Sequence, residues 1–269
     1  DDSESLILLK TLNPVAKKTI GDLYYELHEK KWEVYIVTEI DKTAWPSGKG
    51  VIKAGLHPDK IEEYKNIYGN NWEDKLLKEF KSAVSEYENI RQKIDESQED
   101  ISEELMEKEE FLRDKASDFV GDLPVIVGDI ISFPAFQIHS LRHGIKVVEF
   151  QTPHYERLIL MFAQKVITQN HWDTENAISK MDKEVYNPPK LDCIHKTKYL
   201  NVERFTDFPQ FYFNRIRLEP KNNYEIHLKG RYQLLIIISG KAEVVTQTGK
   251  SIILKKEESL FLPVTMESY

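Results

Sequence analysis

The sequence predicts a mainly β fold, built as two small antiparallel sandwiches or barrels with a helical insertion in the first. Three observations carry that expectation. Short runs rich in β-branched and aromatic residues, such as Trp32-Glu-Val-Tyr-Ile-Val-Thr38, recur along the chain between Gly and Pro punctuation. One long stretch between them is dense in Glu and Lys, with apolar residues every three to four positions. Helices and strands do not alternate at short intervals, as a parallel α/β sheet requires.

In chain order, residues 5–56 read as short strands and begin an N-terminal domain spanning 1–190. The helical insert follows at about 58–120. Asp59 is expected to cap a helix running through Tyr64. Trp72, Leu76, Phe80, Val84, Tyr87, Ile90 and Ile94 form the apolar stripe of a longer helix, and Leu105, Phe111, Leu112 and Phe119 mark another. From Pro124 the chain turns β again, through Val125-Ile-Val127, Ile130–Phe133 and Ile145–Phe150. The stretch from Leu158 to about Val185 reads as helical. Asn187-Pro188-Pro189 reads as a linker. A second, all-β domain at 196–269 is expected to have strands at Phe211–Leu218, Tyr232–Ser239, Ala242–Gln247, Ser251–Leu254 and Leu260–Leu262.

Composition narrows the function. The 269 residues are 41% hydrophobic and 30% charged, within the soluble globular range. A net charge of −8 argues against general nucleic-acid binding, which needs clustered cations. One cysteine, Cys193, excludes an intrachain disulfide framework and a cysteine-based zinc cluster, and fits a reducing compartment. There is no apolar run of membrane-spanning length, no basic-then-apolar leader and no Gly-rich phosphate loop. The expectation is a cytoplasmic protein without nucleic-acid or membrane partners, its ends at Asp1 and Tyr269 cut short of a complete second domain.

The residues that point to chemistry fall in two stretches. In Glu26-Leu27-His28, strand alternation points Glu26 and His28 to one face, and Glu33 follows. About a hundred residues later comes Gly128-Asp-Ile-Ile-Ser-Phe-Pro134-Ala-Phe-Gln-Ile-His139. Two imidazoles and two carboxylates suit a borderline divalent ion, Zn²⁺ first, with Mn²⁺, Fe²⁺, Co²⁺ and Ni²⁺ left open. His57-Pro58-Asp59 carries another histidine, but position 55 is Gly, so no second ligand stands two residues ahead of it.

Ligands two apart, then a carboxylate, then a histidine after Gly-x5-Pro-x4 resemble the two-part signature of the cupins, double-sheet jelly rolls whose mouth often holds a metal. The resemblance narrows further. Gly128-Asp129, Pro134-Ala135, His139, Gly144-Ile145 and Glu149-Phe-Gln151 look like the second metal-binding stretch of type I phosphomannose isomerases. Lys31-Trp-Glu33-Val-Tyr35 is similar to their Lys-x-Glu-x-x-Tyr segment. Val202-Glu-Arg204, Phe211–Leu218 and Ile253–Pro263 resemble their second cupin domain.

The resemblance implies that Glu26, His28, Glu33 and His139 meet around one divalent ion, with Lys31 and Arg157 as active-site cations. It implies an aldose–ketose isomerase acting on a sugar 6-phosphate, mannose 6-phosphate and fructose 6-phosphate first, with proton transfer between C1 and C2. A Glu stands where that family has a Gln ligand, and the His28-to-Glu33 and Glu149-to-Arg157 intervals are shorter than the family's. A non-catalytic sugar-binding or regulatory cupin, and an Fe²⁺-dependent cupin oxygenase, are the other readings of the same ligands. In the second domain Ser268 occupies the place of the histidine, which leaves Glu225 and His227 as a remnant and predicts a metal-free, structural domain.

Overall fold

The computed structural model describes residues 6–98, 100–205 and 210–269. The chain divides into two compact units, Asp1–Pro188 and Pro189–Tyr269. The first contains β1 (Leu8–Leu12), β2 (Tyr25–Leu27), β3 (Glu33–Ile40), β4 (Gly50–Leu56), α1 (Pro58–Tyr68), α2 (Trp72–Glu96), α3 (Glu103–Ser117), β5 (Val120–Val125), β6 (Ile130–Phe133), β7 (His139–Ser140), β8 (Ile145–Gln151), β9 (Leu158–Met161) and α4 (Thr174–Lys180).

These strands form two antiparallel sheets, one of order β1-β8-β3-β6 and one of order β5-β4-β7-β2-β9. One apolar cluster draws Tyr35, Val37, Ile131, Phe133 and Val147 from the first sheet and Ile52, Ala54 and Val125 from the second, so the two sheets pack face to face. A second cluster joins Tyr25, Leu27, Leu56, Leu158 and Leu160 to Leu76, Phe80, Val84 and Tyr87 of α2. The five-stranded sheet is therefore buried on both sides, by a sheet on one and by helices on the other. Tyr25 and Leu27 belong to the helical side, and the alternation of β2 turns Glu26 the opposite way.

The helices follow the apolar spacing. Leu76, Phe80, Ala83, Val84, Tyr87 and Ile90 are the buried residues of α2. Ser102 caps α3 by accepting from the Leu105 N–H at 3.3 Å. Three expectations change. His57, not Asp59, caps α1: its ring nitrogen accepts from the Asp59 N–H at 3.2 Å, and Pro58 takes the first turn, where a missing N–H costs nothing. Phe111 is exposed, because α3 buries Glu109, Leu112 and Ala116 instead. The segment from Leu158 opens as a strand, since β9 pairs with β2, and only α4 within it is helical.

The second unit contains β10 (Leu191–Lys196), β11 (Leu200–Phe205), β12 (Asn214–Leu218), β13 (Gln233–Ile236), β14 (Lys241–Val245), β15 (Ser251–Lys255) and β16 (Ser259–Leu262). They form a three-stranded sheet β10-β11-β12 and two pairs, β13-β16 and β14-β15. Its five expected strands appear within a few residues of their expected ends, and β10 and β11, which follow the expected linker at Asn187-Pro188-Pro189, are additions. Among the described residues no helix is long and apolar enough to cross a membrane.

Candidate metal centre

Register builds the site. In the four-stranded sheet, Glu33 lies opposite Gln151 and Phe133, Tyr35 opposite Glu149 and Ile131, and Lys10 opposite Glu149, while Leu12 lies opposite Val147. The inward face thus runs from polar at the Glu33 end to apolar at the Val147 end. Across the interior, β2 pairs with β7 so that Glu26 stands opposite His139.

Glu26, His28 and His139 bring one ligand atom each to within 4.8 Å of one another. Glu33 meets two of the three: Oε1 lies 3.3 Å from His28 Nε2, and Oε2 lies 3.2 Å from His139 Nε2. His28, Glu33 and His139 are 2%, 1% and 1% exposed, so water does not screen this arrangement. The turn before β7 is pinned to the ligand strand. Phe136 sits at φ 67°, a left-handed conformation that a non-glycine residue adopts at a cost of about 1–3 kcal/mol. Its N–H donates to the His28 carbonyl at 2.6 Å. Gly128, at φ 95°, makes the turn that opens the same stretch, and its N–H donates to the Val37 carbonyl at 2.8 Å.

Tautomers decide what the centre can hold. His28 Nδ1 lies 2.7 Å from the Glu156 carbonyl, and His139 Nδ1 lies 2.9 Å from the Gln137 carbonyl. A carbonyl only accepts, so each Nδ1 carries its proton there. In the neutral rings both Nε2 lone pairs then face the Glu33 carboxylate. Lone pair against anion is repulsive in a buried site, and His28 Nε2 has no hydrogen-bond partner. The arrangement is balanced either by protons on the imidazoles or by a cation in their place. Backbone carbonyls on Nδ1 with Nε2 facing inward is the usual presentation of histidine to a metal.

The charges respond accordingly. Burial pushes Glu33 up, but the hydrogen bond from His139 and the charges of His139 and His28 outweigh it and hold the carboxyl well below the usual range. Burial disfavours the charged form of His139, yet the bond and charge of Glu33 raise it. Glu149 is pushed up to about 7 by burial and by the charge of Glu33.

Three solved structures illustrate what the architecture is similar to. The mannose 6-phosphate isomerase from Bacillus subtilis aligns at a TM-score of 0.62 and 12% identity, over 97% of this chain and 70% of its own. The mannose 6-phosphate isomerase from Salmonella typhimurium bound to fructose 6-phosphate and zinc aligns at 0.66 and 12%, over 97% and 75%. A zinc-bound mannose 6-phosphate isomerase aligns at 0.60 and 11%, over 97% and 75%. The fold is that of the mannose 6-phosphate isomerases. No family model matches the chain, and no curated protein matches it.

On this fold the two expected cations take different places. Lys31 is buried, with Nζ 2.5 Å from Glu33 Oε1. Burial works against its charge, but Glu33 and Glu26 outweigh that and raise its pKa. Arg157 instead lies over the ring of Tyr24, 4.8 Å from its centroid. Two residues at the centre were given no role by the sequence reading. Glu149 is buried beside Glu33 and bridged to Lys10 at 3.3 Å. Its signal was available in the inward alternation of Val147, Glu149 and Gln151. Glu156 contacts the His28 segment across 128 positions of sequence, and no local pattern announces such a contact.

Proposed function

We propose that this protein is a metal-dependent aldose–ketose isomerase acting on a sugar 6-phosphate, with mannose 6-phosphate and fructose 6-phosphate as the first pair to test. The carrying observation is the convergence of half-buried Glu26 with buried His28 and His139, with Glu33 against both imidazoles, on a fold shared with isomerases of that class.

In this reading Glu26, His28, Glu33 and His139 hold the ion. Two imidazoles and two carboxylates favour Zn²⁺. When bound, a divalent ion supplies Lewis acidity to the carbonyl and hydroxyl oxygens of C1 and C2. The chain supplies the rest. Lys31 brings a buried positive charge to the oxyanion that develops as the C–H proton leaves. Glu149 is the spare carboxyl of the cluster once Glu26 and Glu33 are ligands, and it is the group proposed to move the proton between C1 and C2. Arg157 offers a planar guanidinium to the substrate phosphate. The two sheets and the helices behind one of them keep water from His28, Glu33 and His139, which strengthens the interactions of these groups.

The test is a coupled assay for conversion of mannose 6-phosphate by metal-replete protein. Turnover that a chelator abolishes and Zn²⁺ restores supports the proposal. Absence of turnover with a full complement of bound metal overturns it, and oxygen uptake by an Fe²⁺-loaded sample would replace it with oxygenase chemistry.

A further inference from the structure

Glu156 lies in the connection between β8 and β9, outside the ligand set. Its carboxylate accepts three successive backbone N–H groups: Glu29 on Oε2 at 2.9 Å, and Lys30 and Lys31 on Oε1 at 2.9 and 3.0 Å. Three consecutive amides converging on one anion form a nest, and bonds to a carboxylate are the strong kind. The amides belong to the turn that carries the chain from His28 to Lys31 and Glu33. The main chain of the same residue takes the His28 Nδ1 proton at 2.7 Å. A single residue therefore fixes the turn between two candidate ligands with its side chain and the tautomer and ring plane of one of them with its carbonyl. Thr152, in the same connection, adds a parallel tie: its Oγ1 accepts the Trp32 N–H at 2.9 Å, and its N–H donates to the Trp32 carbonyl at 3.0 Å.

We propose that Glu156 is the positioning residue of the metal centre, setting the spacing of His28, Lys31 and Glu33 before any ion arrives. This rests on the metal-binding reading above. Without the carboxylate, the three amides turn to water, the short segment between His28 and Glu33 relaxes, and the Nε2 lone pair of His28 is no longer aimed inward. The cost falls on ion affinity and geometry, not on the packing of the sheets, because the turn lies outside both apolar clusters.

The experiment compares the wild type with Glu156→Ala and Glu156→Gln. Zn²⁺ affinity is measured by competition with a chromophoric chelator, the Co²⁺ visible spectrum reports ligand geometry, and amide exchange is followed in metal-free protein. Glu156→Ala is expected to weaken Zn²⁺ binding about 10–100-fold, the range for loss of an outer partner of a ligand. It should change the Co²⁺ spectrum and release the amides of Glu29, Lys30 and Lys31, while those of α2 keep their protection. Glu156→Gln keeps one oxygen and should lose less in all three readouts; it carries the test if the alanine variant does not fold. Zn²⁺ affinity and a Co²⁺ spectrum equal to wild type in either folded variant overturn the positioning role while leaving the metal centre standing. A wild-type protein that takes up neither Zn²⁺ nor Co²⁺ overturns the metal centre itself.

Discussion

The two units carry the same short pattern and put it to different use. In the first, Glu26 lies on a strand paired with His139 and His28 follows directly after it; His28, Glu33 and His139 are buried and Glu26 is half-buried. In the second, Glu225-Ile-His227 is paired through a single bridge between His227 and Ser268. There a hydroxyl replaces the imidazole, and Ser268 Oγ donates to Glu225 Oε1 at 2.9 Å and accepts from Gln247 Nε2 at 2.9 Å. Glu225 and His227 are both exposed. The first unit gathers two imidazoles and two carboxylates into one cluster, with the Lys31 ammonium against Glu33, whereas the second closes its polar atoms on one another with ordinary hydrogen bonds. A ligand-like pattern becomes a metal site only when burial prevents water from satisfying it instead.

The sharpest way to break that contrast is His28→Ala. It should weaken Zn²⁺ binding more than about 100-fold, beyond what loss of an outer partner costs, and abolish isomerase turnover. Equal Zn²⁺ content in variant and wild type, read by elemental analysis, would erase the distinction between the units.

Next in size is Glu33→Ala, which strands the buried Lys31 ammonium. Breaking a buried pair by removing one partner costs about 3–5 kcal/mol, so denaturant melts should show the first unit destabilised by that amount. A smaller loss would mean that water reaches Lys31 once Glu33 is gone. Phe80→Ala removes a fully buried ring between α2 and the five-stranded sheet, and about 3–5 kcal/mol is expected with the second unit's unfolding unchanged.

Asp22 supplies a pH test confined to the first unit. Burial pushes its carboxyl up, but Arg142, with a nitrogen 2.8 Å away, and the two bonds from His143 outweigh that and leave it below its ordinary 3.8. A depressed carboxyl binds fewer protons folded than unfolded, so its contribution is complete above about pH 4 and is lost as pH falls through the folded value. Asp22→Asn should cost about 1.5–3 kcal/mol at neutral pH and much less in strong acid, followed by thermal melts across pH. A cost that stays constant into strong acid would remove the linkage. The smallest effect belongs to Ser268→Ala, about 0.5–1.5 kcal/mol for the hydrogen bond of a buried hydroxyl to the exposed Glu225, with metal content unchanged. Lost metal there would mean the second unit participates in binding.

Much of this was legible before any coordinates. The stripe from Leu76 to Ile90 gave α2 and its buried face, because a helix repeats every 3.6 residues whatever it packs on. The alternation of Glu26 and His28, and the run from Gly128 to His139, picked out side chains that do converge. Other features were not legible. Nothing local separates Phe111, which faces water, from Leu112, which does not. The β9 strand was hidden inside a helix-like pattern because its identity comes from pairing with β2.

The sequence by itself determined the elements whose signal is periodic or covalently local: the β texture of both units, the long amphipathic helix, the Gly–Pro turn ahead of His139. The tertiary structure decided which carboxylates meet which imidazoles, which ring nitrogen faces inward, and that Glu156 reaches the amides of Glu29, Lys30 and Lys31. Glu33 with His139, His28 Nδ1 with the Glu156 carbonyl, and Glu156 with Lys31 are contacts between segments more than a hundred residues apart. Their energies depend on distance and on exclusion of water, and neither quantity exists until the sheets close.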